Sequence, residues 1–137
     1  MFFDIFKRNK NHADRSEEMT QSDLKWNKMW EMWSNGNIDS PYDELMNYHG
    51  EVYNGGHYQY FLNTENNGDV QNEMSALESV LPSRLYNNLR VAFGAYLELE
   101  RDENADQNEM ILRKCDEFFY ENEDEINGIL RNYSEQL

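Results

Sequence analysis

The apolar residues of this sequence recur with the spacing of one helix face in almost every segment. Within residues 84–100, for example, they follow one another at intervals of three and four, which is the period of an amphipathic helix. No segment alternates apolar and polar residues over a length that indicates a strand, and there is no internal repeat. The pattern therefore predicts an all-α fold of six or seven helices. The predicted helices cover approximately residues 22–34, 41–54, 57–62, 69–81, 84–100, 110–120 and 125–136.

Short polar residues precede most of these segments and predict where the helices begin. Their side chains accept hydrogen bonds from the first free backbone N–H groups of a helix, and a Glu three residues later completes a capping box. The Asn-rich segment 63–68 interrupts the helical pattern and is predicted to be a loop. The predicted N-caps are Thr20 or Ser22, Ser40, Asp69, Asp106 paired with Glu109, and Asn122 paired with Glu125.

The length of 137 residues is typical of one domain that buries a core of its own. Residues 20–137 are predicted to form this single helical domain. Residues 1–19 are predicted to form a separate N-terminal segment, in which a short apolar group is followed by Lys7, Arg8 and Lys10. The apolar part is barely one helical turn long, so docking on the domain or mobility fits it better than contact with a membrane.

A glycine pair in an aromatic stretch, Leu45–Asn63, predicts a tight corner between two helices. Paired glycines occur where a Cβ atom would not fit or where φ must be positive. We expect a helix to end near Asn54, a left-handed turn on glycine, and a second helix packed closely against the first. The aromatic rings expected to fill this corner are those of Tyr48, Tyr53, Tyr58, Tyr60 and Phe61.

The same stretch carries a resemblance to a known family. The segment NGGHYQYFLN resembles the "NGG, two residues, Gln, aromatic, Phe, one residue, Asn" signature of a mostly uncharacterised bacterial all-helical family whose named member is a DNA mimic. The resemblance covers roughly residues 40–135. It implies a compact helical fold, often dimeric, with an acidic surface, and for the named member it also implies binding to a DNA-binding transcription regulator in place of DNA. The signature residues are Asn54, Gly55, Gly56, Gln59, Phe61 and Asn63.

The formal net charge of −15 changes the range of partners that the chain can have. A strongly negative field disfavours contact with nucleic acid and with anionic membranes, and it favours basic partners. The same charge would also serve solubility alone. The single cysteine, Cys115, can form no internal disulfide, which indicates a reducing compartment such as the cytoplasm. No apolar run approaches the length of a membrane span.

The negative charge is concentrated in the last part of the chain. From Glu98 onward there are thirteen Asp and Glu against four Lys and Arg. Residues three and four apart are neighbours on a helix surface, so Glu117, Glu121 and Glu125 are predicted to form a row along one edge. Such a row can imitate part of a phosphate strand, although a solvated helix face is the usual fate of acidic runs. The residues predicted to bind the partner are Glu98, Asp102, Asp106, Glu109, Glu117, Glu121, Asp124 and Glu125.

Catalytic chemistry finds little support in the sequence. His49 and His57 flank the glycine corner and could, with a carboxylate, hold a metal ion, but HExxH, ExxH and Cys-cluster motifs are absent. Nucleophile and phosphate-binding motifs are absent as well. We therefore expect a cytoplasmic, non-enzymatic module without cofactor that binds a basic protein. The family resemblance implies that this basic protein is a DNA-binding regulator. The alternatives are an immunity or antitoxin-like protein that neutralises a basic toxin, and a metal-dependent enzyme using the two histidines.

Overall fold

The computed structural model describes residues 19–137, and this part of the chain contains six α-helices and no strand. This result confirms the predicted all-α fold. The prediction for the N-terminal segment falls, except for Met19, outside the described residues. The helices are α1 (Gln21–Ser34), α2 (Tyr42–Asn67), α3 (Val70–Val80), α4 (Ser83–Arg101), α5 (Asp106–Glu121) and α6 (Glu123–Ser134).

The long helix α2 organises the domain, since it packs against α3, α4, α5 and α6, while α1 packs against α6. Helices α4 and α5 form an antiparallel pair, and Asn88 of α4 donates a hydrogen bond to the carbonyl oxygen of Cys115 in α5 at 2.9 Å. The core is rich in aromatic rings, which bury large apolar areas. The largest fully buried side chains include Tyr48, Tyr60, Phe61, Tyr96 and Phe119.

The tryptophan-rich stripe of α1 faces this core. Met29 and Trp30 are buried, and Trp26 and Trp33 pack partly buried against the core cluster. The guanidinium carbon of Arg131 in α6 lies 4.4 Å from the centroid of the Trp26 ring, a cation–π contact that joins the two helices. A Trp-rich helix face of this kind also serves as the seam of a homodimer, and that use of α1 is a prediction from the sequence alone.

Helix α2 is bent at the glycine pair and extends further than the sequence pattern predicted. Gly56 has φ 82° and ψ 176°, which confirms the predicted turn on glycine. The prediction of a loop at residues 63–68 is wrong, because the helix continues to Asn67. Thr64 is buried and its hydroxyl donates to the carbonyl oxygen of Tyr60 at 2.7 Å. Packing of this turn against the core therefore overrides its polar composition.

Two predicted N-caps are confirmed. The hydroxyl oxygen of Thr20 accepts from the backbone N–H of Asp23 at 3.1 Å. The carboxylate of Asp69 accepts from the backbone N–H groups of Gln71 at 2.9 Å and of Asn72 at 3.3 Å. Local chemistry decides these two helix starts.

At the other predicted N-caps, no side chain accepts a hydrogen bond from the first backbone N–H groups of the helix, and only Asn122 occupies the predicted N-cap position. Ser40 does not cap α2, whose N-cap is Pro41, and its hydroxyl donates to Glu44 at 2.9 Å. Helix α5 begins after Ala105 without a side-chain cap, so Asp106 lies inside the helix. Asn122 precedes α6, but its side chain donates to the carbonyl oxygen of Phe118 at 2.8 Å.

This contrast between Asp69 and Ser40 gives a test. Replacing Asp69 with Ala is expected to lower the free energy of unfolding by about 1 kcal/mol, because two backbone N–H groups lose their acceptor. Ser40→Ala, at a position predicted from sequence to be equivalent, is expected to have a much smaller effect. Urea denaturation of both variants measures the difference. Equal losses would contradict the assignment of the caps.

None of the helices within residues 19–137 combines the length and the apolar character needed to cross a bilayer.

Candidate protein-binding surface

The bend of α2, here called the elbow (residues 51–63), is stabilised by residues of the NGG signature. Glu51 lies before the bend, and its Oε2 accepts hydrogen bonds from Asn63 at 2.8 Å and from Gln59 at 3.1 Å, both after the bend. A Cβ on Gly55 would collide with the Gln59 carboxamide, so glycine leaves room for this side chain. Sequence reasoning missed this role of Glu51, although the spacing of Gln59 and Asn63 on one helix face could have indicated a shared partner.

A second set of hydrogen bonds ties the elbow to α5. Oδ1 of Asp116 accepts from the backbone N–H of His57 at 2.8 Å and lies 2.7 Å from Nδ1 of the same residue. On the other side of the ring, Nε2 of His57 lies 2.7 Å from the hydroxyl of Tyr48. Because a carboxylate can only accept, Nδ1 carries a proton and donates to Asp116, and a neutral His57 ring would accept from the Tyr48 hydroxyl at Nε2. Asp116 thus caps the half of α2 that begins after Gly56.

The closeness of Asp116 explains the glycine at position 56. A Cβ built there would lie 2.6 Å from Oδ2 of Asp116. The glycine pair indicates that another group approaches the backbone closely. That group is the carboxylate of Asp116, which lies 59 positions after His57 in the sequence. Sequence reasoning therefore missed Asp116.

The two histidines considered as metal ligands face different carboxylates. Nε2 of His49 lies 3.1 Å from Oε2 of Glu123 at the start of α6, whereas His57 is bound to Asp116. Both histidines are buried, and both rings lie near the ring of Phe119. Across residues 19–137, the structure brings no three His, Cys, Asp or Glu side chains into an arrangement that could hold a metal ion.

All eight acidic residues predicted to bind a partner are exposed, and they fall into two groups. The first, here called the end group, surrounds the connection between α4 and α5. The second, here called the corner group, surrounds the junction of α5 and α6. The end group comprises Glu98, Asp102, Asp106 and Glu109, and the corner group comprises Glu117, Glu121, Asp124 and Glu125.

Most of these carboxylates are open to a partner. Glu98 pairs with Arg101 at 3.0 Å and Glu125 with Arg84 at 2.6 Å, and such exposed pairs contribute little to stability. For the other six, the described part of the chain offers no cationic group within ion-pair distance. The exposed side chains of Arg113 and Lys114 lie on α5 between the two groups and interrupt the negative surface.

The predicted row of glutamates does not continue along one helix. Helix α5 ends at Glu121 and α6 begins at Glu123, so the spacing that relates Glu117 to Glu121 does not extend to Glu125. At the junction, the guanidinium of Arg84 in α4 donates hydrogen bonds to Asn122 at 3.2 Å and to Glu125 at 2.6 Å. The corner group is therefore contacted by α4 as well as lying on α5 and α6.

One tyrosine connects α5 to the elbow. The hydroxyl of Tyr120 in α5 donates to the carbonyl oxygen of Val52 at 3.2 Å. Burial raises the pKa of Tyr120, and the charges of Asp116, Glu123 and Tyr53 add to the increase.

The prediction that Tyr53 and Tyr58 fill the corner is wrong. Tyr53 is 44% exposed and Tyr58 41% exposed, so neither ring is enclosed in the corner. Tyr120, which sequence reasoning did not single out, is 46% exposed. The other three predicted rings, those of Tyr48, Tyr60 and Phe61, are fully buried.

One comparison with known proteins gives a match. A family model described as "DMP19-like protein" matches residues 44–137, which is more than half of the chain. The chain has no match among curated proteins or among solved structures. The matched region begins in the first turn of α2 and includes the elbow, the end group and the corner group.

Proposed function

Because the chain belongs to the DMP19-like protein family, we propose that it is a non-enzymatic module whose acidic surface replaces DNA on a basic DNA-binding regulator. DMP19 itself is a DNA mimic. The observation that carries the proposal for this chain is the exposure of all eight acidic residues of the end and corner groups. Six of these have no cationic neighbour within ion-pair distance in the described chain.

The length of α5 supports this function. From Asp106 to Glu121 the helix makes fifteen residue steps, which at a rise of 1.5 Å correspond to about 22 Å. Double-stranded DNA carries roughly thirteen phosphate charges over that distance. Eight carboxylates along and around α5 supply a lower but comparable charge density. A groove that binds phosphates through Lys and Arg would meet negative charge at both ends of this helix.

The negative net charge supports a basic partner. Opposite charges accelerate encounter between proteins, and the acceleration falls as salt screens the charges. Binding through a surface of this kind is therefore expected to weaken between low and moderate salt.

Charge reversal in the corner group tests the proposal. The triple variant Glu117→Lys, Glu121→Lys, Asp124→Lys is expected to lose capture of a DNA-binding protein from lysate of the native host. The reason is that three carboxylates which face a basic groove become repulsive. Duplex DNA added to the wild-type complex is expected to release the captured protein, because both ligands occupy one site. Mass spectrometry of the captured protein and titration with DNA are the measurements.

A matched control separates position from total charge. The variant Glu31→Lys, Asp39→Lys, Glu78→Lys has the same net charge, but its exposed substitutions lie on α1, before α2 and on α3. It is expected to keep the captured protein. Retention of the protein by the corner variant, failure of DNA to compete, or capture of a basic toxin instead of a DNA-binding protein would each overturn the proposal.

A further inference from the structure

We propose that the edge where the second half of α2 meets the end of α4 binds an amphipathic basic helix of a protein partner. This surface, here called the α2–α4 edge, consists of Tyr58, Leu62 and Glu65 of α2 and of Leu97 and Glu100 of α4. The inference goes beyond the proposed function, because the edge does not include the corner group and recognises its partner through apolar contacts as well as charge.

Hydrogen bonds and a ring contact join the two helices at this edge. The hydroxyl of Tyr58 donates to Oε1 of Glu100 at 2.8 Å. The Tyr58 ring meets the Tyr96 ring edge to face, with centroids 5.3 Å apart. The hydroxyl of Tyr96 in turn donates to Oε2 of Glu65 at 2.9 Å. These contacts hold two tyrosines and two carboxylates in one arrangement across α2 and α4.

The centre of the edge is apolar and open to solvent. Leu62 lies four residues after Tyr58, and Leu97 lies three residues before Glu100, so the members of each pair are neighbours on a helix surface. Tyr58, Leu62 and Leu97 are 41%, 39% and 41% exposed. A single exposed apolar side chain needs no explanation, whereas a group of them with a polar rim is typical of a binding site.

The two carboxylates of the edge favour a basic occupant. Glu100 meets Tyr58 at one end, and Glu65 lies three residues beyond Leu62 at the other end. Both are exposed, and within residues 19–137 no Lys or Arg lies within ion-pair distance of either one. Each accepts a tyrosine hydroxyl with one oxygen, which orients the carboxylate. A cation of the partner can therefore bind the other oxygen, and the net charge of −15 adds attraction.

The shape of the edge suits a helix. Helices α2 and α4 run antiparallel here, since Tyr58 bonds Glu100 whereas Phe61 lies 5.0 Å, between ring centroids, from Phe93. Tyr58 and Leu62 are one helical turn apart, so apolar side chains spaced one turn apart on a partner helix can pack beside both. Lys and Arg on the flanks of such a helix can then reach the carboxylates. An anionic membrane surface would be repelled by the same carboxylates.

Two peptides of identical composition, each made only of Leu and Lys, serve as probes for the full-length protein. In one peptide the leucines recur at intervals of three and four and lie on one helix face, and in the other their order is scrambled. Isothermal titration calorimetry at moderate salt is expected to show tighter binding of the amphipathic peptide, by about tenfold, because only its leucines cover the exposed apolar side chains together.

Substitutions in the edge test where the amphipathic peptide binds. In the double variant Tyr58→Gln, Leu62→Gln, the ratio of the two affinities is expected to fall towards one. The affinity for the scrambled peptide is expected to change little, because all carboxylates remain. Leu62→Gln alone leaves the hydrogen bond of Tyr58 in place and is expected to lose part of the preference. Thermal melts establish that the variants are folded.

Three control variants separate the edge from exposed apolar residues in general. Leu24→Gln and Met110→Gln replace side chains that are 48% and 56% exposed on α1 and α5, and both are expected to keep the preference for the amphipathic peptide. Tyr58→Phe keeps the ring and loses only the hydrogen bond to Glu100, so it is expected to keep the preference as well.

Several outcomes would overturn the α2–α4 edge as a site for a basic helix. Equal affinity of the wild-type protein for both peptides is one, and a preference that survives in the folded double variant is another. Self-association of the wild-type protein that the double variant abolishes, measured by sedimentation, would assign the edge to a second copy of the chain. Binding of the wild-type protein, but not of the double variant, to phosphatidylserine and phosphatidylcholine vesicles would assign it to a membrane.

The corner variant distinguishes this inference from the proposed function. It is expected to bind both peptides more weakly, because it carries less negative charge, but to keep the ratio of their affinities. Loss of that ratio would place the amphipathic peptide on the corner group and overturn the α2–α4 edge. Capture of a DNA-binding protein from lysate uses neither peptide, so either proposal can fail while the other stands.

Discussion

Replacing Gly56 with Ala is expected to lower the free energy of unfolding by about 3 kcal/mol, one of the largest effects of any single substitution in the elbow. With φ 82° and ψ 176°, Gly56 has a backbone conformation that is essentially restricted to glycine. The new Cβ would also lie 2.6 Å from Oδ2 of Asp116. That carboxylate cannot easily turn away, because its other oxygen accepts two hydrogen bonds from His57. Urea denaturation followed by circular dichroism measures the loss.

Gly94 provides the matched control for this substitution. It lies in the interior of α4, and a Cβ added there would have no atom within 4 Å. Because Ala has a higher helix propensity than Gly, Gly94→Ala is expected to raise the free energy of unfolding by up to about 1 kcal/mol. The same chemical change should therefore have opposite signs at the two positions. A loss at position 56 no larger than a few tenths of a kcal/mol would contradict the close contact with Asp116.

Replacing Asp116 with Ala is expected to lower the free energy of unfolding by about 3 kcal/mol, because a buried donor pair loses its acceptor. Both the backbone N–H and the Nδ1–H of His57 donate to Asp116, and the His57 side chain is fully buried. The second half of α2 would also lose the negative charge at its start. The variant Asp116→Asn retains an accepting oxygen and is expected to lose about 1 kcal/mol.

The adjacent residue supplies the control for Asp116. Glu117 is exposed and makes no hydrogen bond or ion pair within the described chain, so Glu117→Ala is expected to change the free energy of unfolding by less than about 0.5 kcal/mol. Chemical denaturation of the three variants gives the comparison. If Asp116→Ala proves as mild as Glu117→Ala, the connection between α5 and the elbow does not stabilise the fold.

These two predictions concern function as well as stability. Asp116 of α5 stabilises the bend of α2 through one oxygen, which accepts both hydrogen bonds of His57. Tyr120 of α5 likewise contacts the α2 backbone. The elbow therefore holds α5, the helix that carries Glu117 and Glu121 of the corner group. Asp116→Asn separates a modest loss of stability from any loss of binding.

Helix periodicity and two caps could be predicted because they depend on neighbours in sequence. Apolar residues at intervals of three and four predicted the helices, and the carboxylate of Asp69 met the first backbone N–H groups of α3 as expected. The failed predictions of a side-chain cap at Asn122 and of a loop at residues 63–68 have a different cause. Asn122 is bound by Arg84 from another helix and by the carbonyl oxygen of Phe118, and Thr64 is held in the helix by burial. Packing between helices decides the conformation at such positions, and the local spacing of residues contains no information about that packing.

The sequence by itself determined that the chain forms helices, that it must bend at the glycine pair and that its last third carries an excess of carboxylates. These properties follow from periodicity, backbone freedom and counts of charge, none of which needs a distant residue. Only the tertiary structure decided that Asp116 approaches Gly56, that Arg84 pairs with Glu125 of the corner group, and that Tyr120 reaches the α2 backbone at Val52. Each of these depends on contacts between helices that lie tens of residues apart in the chain, and those contacts arise from shared burial.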